Sequence, residues 1–503
     1  SVTMDRQLTF GEYVKNVSKA VTGACRMLSA LANSNFGWRK QYLVRVYRCM
    51  IMSKMDYAGP AWQGNIADCH KLTLERSQNR ALRLITGQFA DSPLESLRAE
   101  TGIPSFDTHI KRNLLISKEK ALRLDDSHPR RRAAEDSIPK RVGLTNNSKH
   151  SWASITDQLT SSYNLGILGT SRKPLTYFPL APWLDETLPY VFPELPGLKC
   201  KDEPEELRRE LAYARIRELQ VEYVLYSDGS AAGGVENGGA GVVVTFGDPE
   251  DPTVVDTLMK RGSALTSSYN EEHTAMHVAL DWIGDHCTED TRVAIVTDSQ
   301  SLCVALLGHG HEIKDLRRRI IETQAMLKIQ WVPGHSGIVG NELADLAAKH
   351  ATTLDEVPTE IPFGSACARI KSVIRDDHSS HARTARVYAK YSKQKEAEVK
   401  TRNDQVLLGR IRTGHHWHFE SYHQLVDKDH DTTCEECGCK LHDLEHWLCA
   451  CPATAHIRMR EFGTSEIFLE ILTENPLAAI LFTRAALSNT QQLRSRQASQ
   501  DGP

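Results

Sequence analysis

At Tyr223 the spacing of apolar residues changes from helical to strand-like, and the stretch from there to about residue 350 leaves few folds open. Val224-Leu225-Tyr226, Gly241 to Phe246 after a glycine-rich turn, Val293 to Thr297 and Ile329 to Val332 read as strands. Helical spacing over Glu271–Ile283, Ser299–Leu307, Asp315–Leu327 and Asn341–His350 alternates with the later strands, which predicts an α/β sheet with crossover helices.

The chain has 503 residues, more than the roughly 250–300 that one hydrophobic core serves, so the flanks form separate bodies. From Val14 to Leu124 the apolar residues recur at helical spacing, as in Leu43, Val46, Met50 and Leu72, Leu74, Leu82. Three or four helices are expected there. Asp125 to Arg215 is poor in periodicity, carries Arg130-Arg131-Arg132 and holds six prolines from Pro174 to Pro196, and reads as a linker. The predicted boundaries are 1–125 for a helical region, 126–215 for the linker and 216–352 for the α/β domain. A helical connector over 353–425, a Cys/His module over 426–460 and a tail over 461–503 follow, the last part of the tail read as disordered.

A net charge of −3 gives no overall electrostatic case for nucleic acid, so any such binding must come from local patches. No run approaches the roughly 18 uninterrupted apolar residues of a membrane span. The nearest, Ile467 to Leu487, is broken by Glu470, Glu474, Asn475, Pro476 and Arg484. Ser1 to Arg6 lead into the first helical pattern without an apolar core, so an intracellular location, cytoplasmic or nuclear, is expected. The opening on Ser reads as a piece of a longer polypeptide.

Four acids stand out in the α/β stretch. Asp228 follows Val224-Leu225-Tyr226 in Tyr226-Ser-Asp-Gly-Ser230, where an apolar residue is the ordinary occupant, and an ionised group there needs a metal or a base as partner. Asp298 repeats the situation in Ala294-Ile-Val-Thr-Asp-Ser-Gln300. Neighbouring strands that offer acids to one place make a metal-site pattern. Glu272 lies on the helix opening after Ser267-Ser268-Tyr269, and Asp345 lies in Asn341-Glu-Leu-Ala-Asp-Leu-Ala-Ala348, just beyond Trp331-Val-Pro-Gly-His-Ser-Gly337. Singly, each acid also reads as a solvated or capping residue.

In this order and context the motifs resemble the type 1 ribonuclease H family across the whole segment. The resemblance implies a mixed five-stranded sheet with flanking helices and an endonuclease that hydrolyses the RNA strand of RNA/DNA hybrids to 5′-phosphate ends. It makes Asp228, Glu272, Asp298 and Asp345 the ligands of two Mg²⁺ or Mn²⁺ ions. Asp228 bridges both, Glu272 and Asp298 complete one, and Asp345 the other. His335 becomes the mobile group assisting catalysis or product departure, and Ser230, Ser267, Gln300 and Asn341 become substrate contacts. Glu271 leaves an ambiguity, and Glu272 is preferred because the family's helix reads Ala-Glu-x-x-Ala and Ala275 follows Glu272 by three residues. Ser267 also reads as a helix N-cap. The short Asp298–Trp331 interval leaves no room for the extra basic helix of some family members. Arg317-Arg318-Arg319 is its one positive cluster, so weak hybrid binding by this domain alone is expected.

Of twelve cysteines, five lie between Cys434 and Cys451. Cys434, Cys437, His446 and Cys451 give C-x2-C-x8-H-x4-C, a spacing suited to one tetrahedral, structural Zn²⁺. Cys439, Cys449 and His442 are spare ligands that leave the set open. Together with Leu408-Gly-Arg-Ile-Arg-Thr-Gly-His415, this module resembles the region downstream of ribonuclease H in non-LTR retrotransposon polyproteins. Val2-Thr-Met-Asp-Arg-Gln-Leu-Thr-Phe10, Met55-Asp-Tyr-Ala-Gly-Pro-Ala-Trp62 and Leu74-Glu-Arg-Ser-Gln-Asn-Arg-Ala-Leu-Arg-Leu-Ile-Thr-Gly87 resemble the thumb and connection of those elements' reverse transcriptases. The resemblance implies the polymerase portion and the element's RNA as partners. No Tyr/Phe-Ala-Asp-Asp motif occurs, so polymerase activity is not expected. Arg410, Arg412, His415 and His416 are the expected grip on the hybrid. The competing reading is a decayed element fragment that only binds nucleic acid; an integrase-like transferase is disfavoured by His335 and Asn341-Glu-x-Ala-Asp.

Overall fold

The computed structural model describes residues 1–500 apart from 7–8, 137–149, 176–187, 201–202, 309, 311–312, 356–357 and 376–381. Contacts divide the chain into two compact units, one of residues 1–114, 139–152 and 374–503, the other of residues 115–138 and 153–373.

The second unit is built on a mixed sheet of β1 (Val191–Phe192), β2 (Tyr223–Ala232), β3 (Glu236–Phe246), β4 (Thr253–Arg261), β5 (Arg292–Thr297) and β6 (Met326–Trp331), in the order β1-β6-β5-β2-β3-β4. β2, β3 and β4 pair antiparallel, while β5 joins β2, and β6 joins β5, in parallel. Val293 to Val296 of β5 are fully buried, as a central parallel strand covered on both faces requires. The helices Ser268–His286 and Val339–Ala351 supply Ala275, Met276, Ala279, Ala344 and Ala347 to the same core as Leu225, Val242 and Ile295.

The sheet has six strands where five were expected. The sixth, β1, comes from the stretch read as a linker and pairs Val191 with Ile329. Two residues between prolines are too short to show alternation, which hides such a strand from a pattern reading. The linker reading also fails at the Glu205–Glu218 helix, whose Ala212, Tyr213 and Ile216 enter the core. Its long charged stretch masks the few apolar positions that bury. Much of the proline-rich segment, residues 176–187, lies outside the described residues.

The first unit joins both ends of the chain, which the sequence reading keeps apart. Its helices include Gly11–Leu31, Lys40–Tyr47, Asp68–Thr86 and Leu94–Thr101 from the N-terminal part, and Arg402–Thr413, Ala455–Phe462 and Pro476–Gln500 from the C-terminal part. A buried ion cluster connects them. Lys40 bonds Glu100 and, at 2.7 Å, Glu396, while Arg412 bonds the same two carboxylates at 3.0 and 2.9 Å. Arg412 also donates to the Leu472 carbonyl, and the Tyr388 hydroxyl donates to Glu100 at 2.7 Å. The last part of the tail, expected to be disordered, continues as helix through Gln500, in a helix whose earlier residues Ala479, Phe482 and Ala486 lie in a core beside Trp447 and Phe419; residues 501–503 lie outside the described residues. Among the described residues no helix is long and apolar enough to cross a membrane.

Candidate active site and metal centre

β2 and β5 run in parallel with Ser227 opposite Thr297, so Asp228, midway along β2, and Asp298, just past the end of β5, stand side by side. Glu272 reaches this place from the Ser268–His286 helix, whose first turn lies against β2. Gly229 permits the approach, since a Cβ there would come within 2.1 Å of the Glu272 backbone nitrogen. One carboxylate oxygen from each of Asp228, Glu272 and Asp298 lies within 4.8 Å of the others.

Asp228 and Glu272 are both 7% exposed, and among the described residues no lysine or arginine forms an ion pair with any of the three acids. Burial and then the Asp298 charge push the Asp228 carboxyl up to about 6. Glu272 is raised well above the usual range by burial and by both aspartates. Burial also raises Asp298, against hydrogen bonding from Asn341 and the nearby His335. Three hard oxygen donors driven toward neutrality by burial and one another form a set that a divalent cation would relieve, and the residues fit such an ion.

Asp345 stands outside the close trio, with its carboxylate bonded to Lys349 at 2.6 Å, although its charge contributes to the raised values of Asp228 and Asp298. His335 is exposed on the Trp331–Gly337 loop and holds a left-handed backbone, φ 49°. The adjacent glutamates separate: Glu271 accepts from the Ser263 N–H at 3.3 Å, and Glu272 faces the two aspartates.

The expected substrate contacts are largely engaged within the fold. Ser267 caps its helix, accepting from the Asn270 N–H at 3.3 Å, and Gln300 donates to the Pro193 carbonyl at 2.9 Å. Asn341 is buried beside Asp298, and Ser230 sits half-buried in β2 opposite Gly239.

Several residues support the site, some within the quoted motifs and some far from them in the sequence. Thr297, fully buried, points its hydroxyl at Glu272 from 3.5 Å, and the Trp331 indole N–H donates to the Asp298 carbonyl at 3.0 Å. Tyr213 braces the far end of the His335 loop. Its hydroxyl accepts from the Val339 N–H at 3.1 Å and donates to the Gly337 carbonyl at 3.4 Å, while Arg208 donates to the Gly334 carbonyl at 3.4 Å. These braces lie more than a hundred positions upstream in a segment read as linker, where no local pattern marks them.

In the first unit, ligand atoms of Cys434, Cys437, His446 and Cys451 lie within 4.8 Å of one another, with Cys437 Sγ 3.2 Å from His446 Nε2. Burial pushes the Cys434 thiol up to about 12 and raises Cys451. A thiol-rich quartet of this kind suits a soft, tetrahedral cation, which would hold the sulfurs as thiolates. Cys439, Cys449 and His442 are not part of the quartet.

The expected grip residues are turned inward. Arg412 is 1% exposed and consumed by Glu100, Glu396 and Leu472, and Arg410 gives two hydrogen bonds to the Gly87 carbonyl and lies 4.3 Å over the Phe89 ring. His416 is buried, which holds its ring down at about 4, and His415 Nδ1 lies 2.9 Å from the Thr413 carbonyl. These side chains hold the first unit together and are not displayed to a phosphate backbone. The Arg317–Arg319 cluster is similarly engaged, Arg317 by the Leu306 carbonyl, Arg318 by Asp315 and Arg319 by His277 and Asp281.

A family model described as RNase H matches residues 220–353. Ribonuclease H from Shewanella sp. (strain W3-18-1) is 30% identical over 158 residues, covering 28% of this chain and 93% of the relative. Ribonuclease H from Chromohalobacter salexigens is 33% identical over 150 residues, covering 26% and 84%. Among solved structures, RNase H1 from Halobacterium salinarum is 23% identical, with a TM-score of 0.22, and covers 26% of this chain and 96% of that one. Through this segment the chain belongs to the ribonuclease H family. It is a hydrolase of the class that acts on the RNA of RNA/DNA hybrids.

Proposed function

We propose that the nuclease segment cuts the RNA strand of RNA/DNA hybrids endonucleolytically, leaving 3′-hydroxyl and 5′-phosphate ends, with Asp228, Glu272, Asp298 and Asp345 holding two Mg²⁺ or Mn²⁺ ions. The observation that carries this reading is the trio of carboxylates, Asp228 and Glu272 buried and Asp298 half-buried, with no lysine or arginine paired to them among the described residues. When bound, the ions supply positive charge to the attacking water and the leaving 3′ oxygen. Asp228 and Asp298, fixed by strand register, set the floor of the site, and Glu272 closes it from the helix. Asp345, on the helix beyond the His335 loop and paired with Lys349 at 2.6 Å, would be the fourth acid to hold the ions. His335, exposed and held by the braced loop, would give a proton to the leaving 3′ oxygen as it becomes the 3′-hydroxyl. Strand choice rests on helix shape and the 2′-hydroxyl.

The wider setting belongs to the same proposal. The resemblance of the N-terminal helices and the Cys/His module supports an origin as the C-terminal part of a retrotransposon reverse transcriptase polyprotein, acting inside the cell with its polymerase portion and RNA. One structural Zn²⁺ on Cys434, Cys437, His446 and Cys451 completes the first unit. A polymerase palm encoded upstream of residue 1 is the expected companion, and an unrelated upstream sequence would remove the retrotransposon reading.

The decisive experiment replaces Asp228 by Asn in the full chain and follows a hybrid, single-stranded RNA and double-stranded RNA with Mg²⁺ or Mn²⁺. Wild type should cut the hybrid alone, and the variant should cut nothing. Persistent cleavage by Asp228→Asn, or equal cutting of single-stranded RNA, overturns the assignment.

A further inference from the structure

Within one short stretch, residues 36–42, the first unit exposes three aromatic side chains. Phe36 is 82% exposed, Trp38 51% and Tyr42 37%. Exposed rings that cluster mark an interaction surface. The loop that presents them is fixed by its own hydrogen bonds. Asn33 Oδ1 accepts from the N–H groups of Asn35 and Phe36 at 2.9 and 3.3 Å, Gly37 N–H donates to the Asn33 carbonyl at 3.0 Å, and Trp38 N–H donates to the Leu31 carbonyl at 2.8 Å. Only glycine fits at position 37, because a Cβ would come within 2.3 Å of the Asn33 oxygen. The rings are therefore held outward before any partner arrives.

Charge surrounds them. The Arg39 and Arg45 guanidinium carbons lie 5.1 and 5.8 Å from the Tyr42 ring centroid, and Arg39 also donates to the Tyr42 hydroxyl at 2.9 Å. From Asn33 to Met55 the sequence contains Arg39, Lys40, Arg45, Arg48 and Lys54, and no acid. Lys40 is buried in the ion cluster. Among the described residues no ion pair neutralises the other four cations, and Arg45, Arg48 and Lys54 are exposed.

We propose that this surface binds single-stranded nucleic acid, with bases stacking on Phe36, Trp38 and Tyr42 and backbone phosphates meeting Arg39, Arg45 and Arg48. Trp, Tyr and Arg also mark protein–protein hot spots, but those centre on desolvated pockets that deplete unpaired charge. Here the rings border unneutralised guanidinium groups on a strip without acids. A polyanion whose every unit carries a stackable ring matches both features at once. The surface and the nuclease carboxylates belong to different units and share no residue, so the proposal stands or falls independently of the metal content of the acids.

The test uses the full chain and labelled oligo(dT) and oligo(U) of about twenty nucleotides, long enough for the 4–16 nucleotides such surfaces cover. Anisotropy titrations at several salt concentrations read affinity and its salt slope. The triple change Phe36→Ala, Trp38→Ala and Tyr42→Ala should weaken binding by at least about a hundredfold while preserving the slope, and Trp38→Phe should retain most of the affinity. Arg45→Ala with Arg48→Ala should flatten the slope by about 0.7 for each phosphate that is no longer neutralised. A wild-type chain that ignores both oligonucleotides, as expected of a protein-docking surface, overturns the proposal. So does a ring variant that binds like wild type.

Discussion

In the first unit, Lys40 and Arg412 face Glu100 and Glu396 with all four side chains at most 8% exposed. In the second, Asp228 and Glu272 are buried as deeply beside Asp298, and among the described residues no lysine or arginine is paired with the group. The physical consequence is a shift of opposite sign in the two clusters. Burial alone would push Glu396 up, but Lys40 and Arg412 outweigh it and hold the carboxyl at about 2, whereas burial and the Asp298 charge carry Asp228 to about 6. A buried charge cluster that balances itself is a structural joint. One that does not balance is a place that a bound cation would complete, which supports the role proposed for these acids.

The sharpest test of the contrast is to neutralise one acid in each cluster. Glu100→Gln strands Lys40 and Arg412 with insufficient countercharge and should destabilise the first unit by roughly 3–5 kcal/mol in thermal or denaturant unfolding. Asp228→Asn relieves repulsion and should leave the metal-free second unit equally stable, or more stable by on the order of 1 kcal/mol, even as cleavage disappears. Equal destabilisation by both changes would erase the distinction.

A smaller effect concerns the Cys/His quartet, the second group whose ligand atoms converge on one place. Cys434→Ser with Cys437→Ser, or a zinc chelator, should lower the melting transition of the first unit and leave that of the second in place. The measurement is calorimetry with metal analysis. A folded chain that carries no zinc and shows no response to chelation would show the quartet to be ordinary thiols.

The smallest effect is the pH dependence, and the two clusters should differ in sign. Glu396 has a depressed carboxyl, so its contribution is complete above its ordinary value of 4.5 and is lost as pH falls from there toward about 2. Asp228 has a raised one, so its penalty in the metal-free protein is complete above about 6 and is relieved as pH falls toward 3.8. Chelated protein should therefore gain stability in the second unit between pH 6 and 4, and lose it in the first below about 4.5. Mg²⁺ should abolish the first trend only.

Asp228 and Asp298 could be singled out in the sequence because an acid following an apolar run is unusual, and the order of the surrounding motifs then separates them from solvated or capping acids. The Cys434–Cys451 spacing could likewise be singled out. The ion cluster was not legible, since Lys40, Glu100, Glu396 and Arg412 lie far apart in the chain and each reads as an ordinary surface charge. That also explains the error at Arg410 and Arg412, where a basic motif was taken for a displayed one. β1 escaped notice through its length, and Tyr213 because its contacts are made only in three dimensions.

The position of Tyr213 bears on how this nuclease travels between proteins. The region shared with the ribonuclease H family opens at residue 220, but the edge strand Val191–Phe192 and the Glu205–Glu218 helix precede it. A transplant cut at the inherited boundary would carry all four acids and His335, yet leave behind the hydroxyl at Gly337 and Val339 and the Arg215 side chain that bonds Gln330 at 2.8 Å. A recipient would have to furnish an edge and a buttress of its own. A graft beginning at Leu188 brings both, so the smallest portable form of this enzyme is longer than its ancestry indicates.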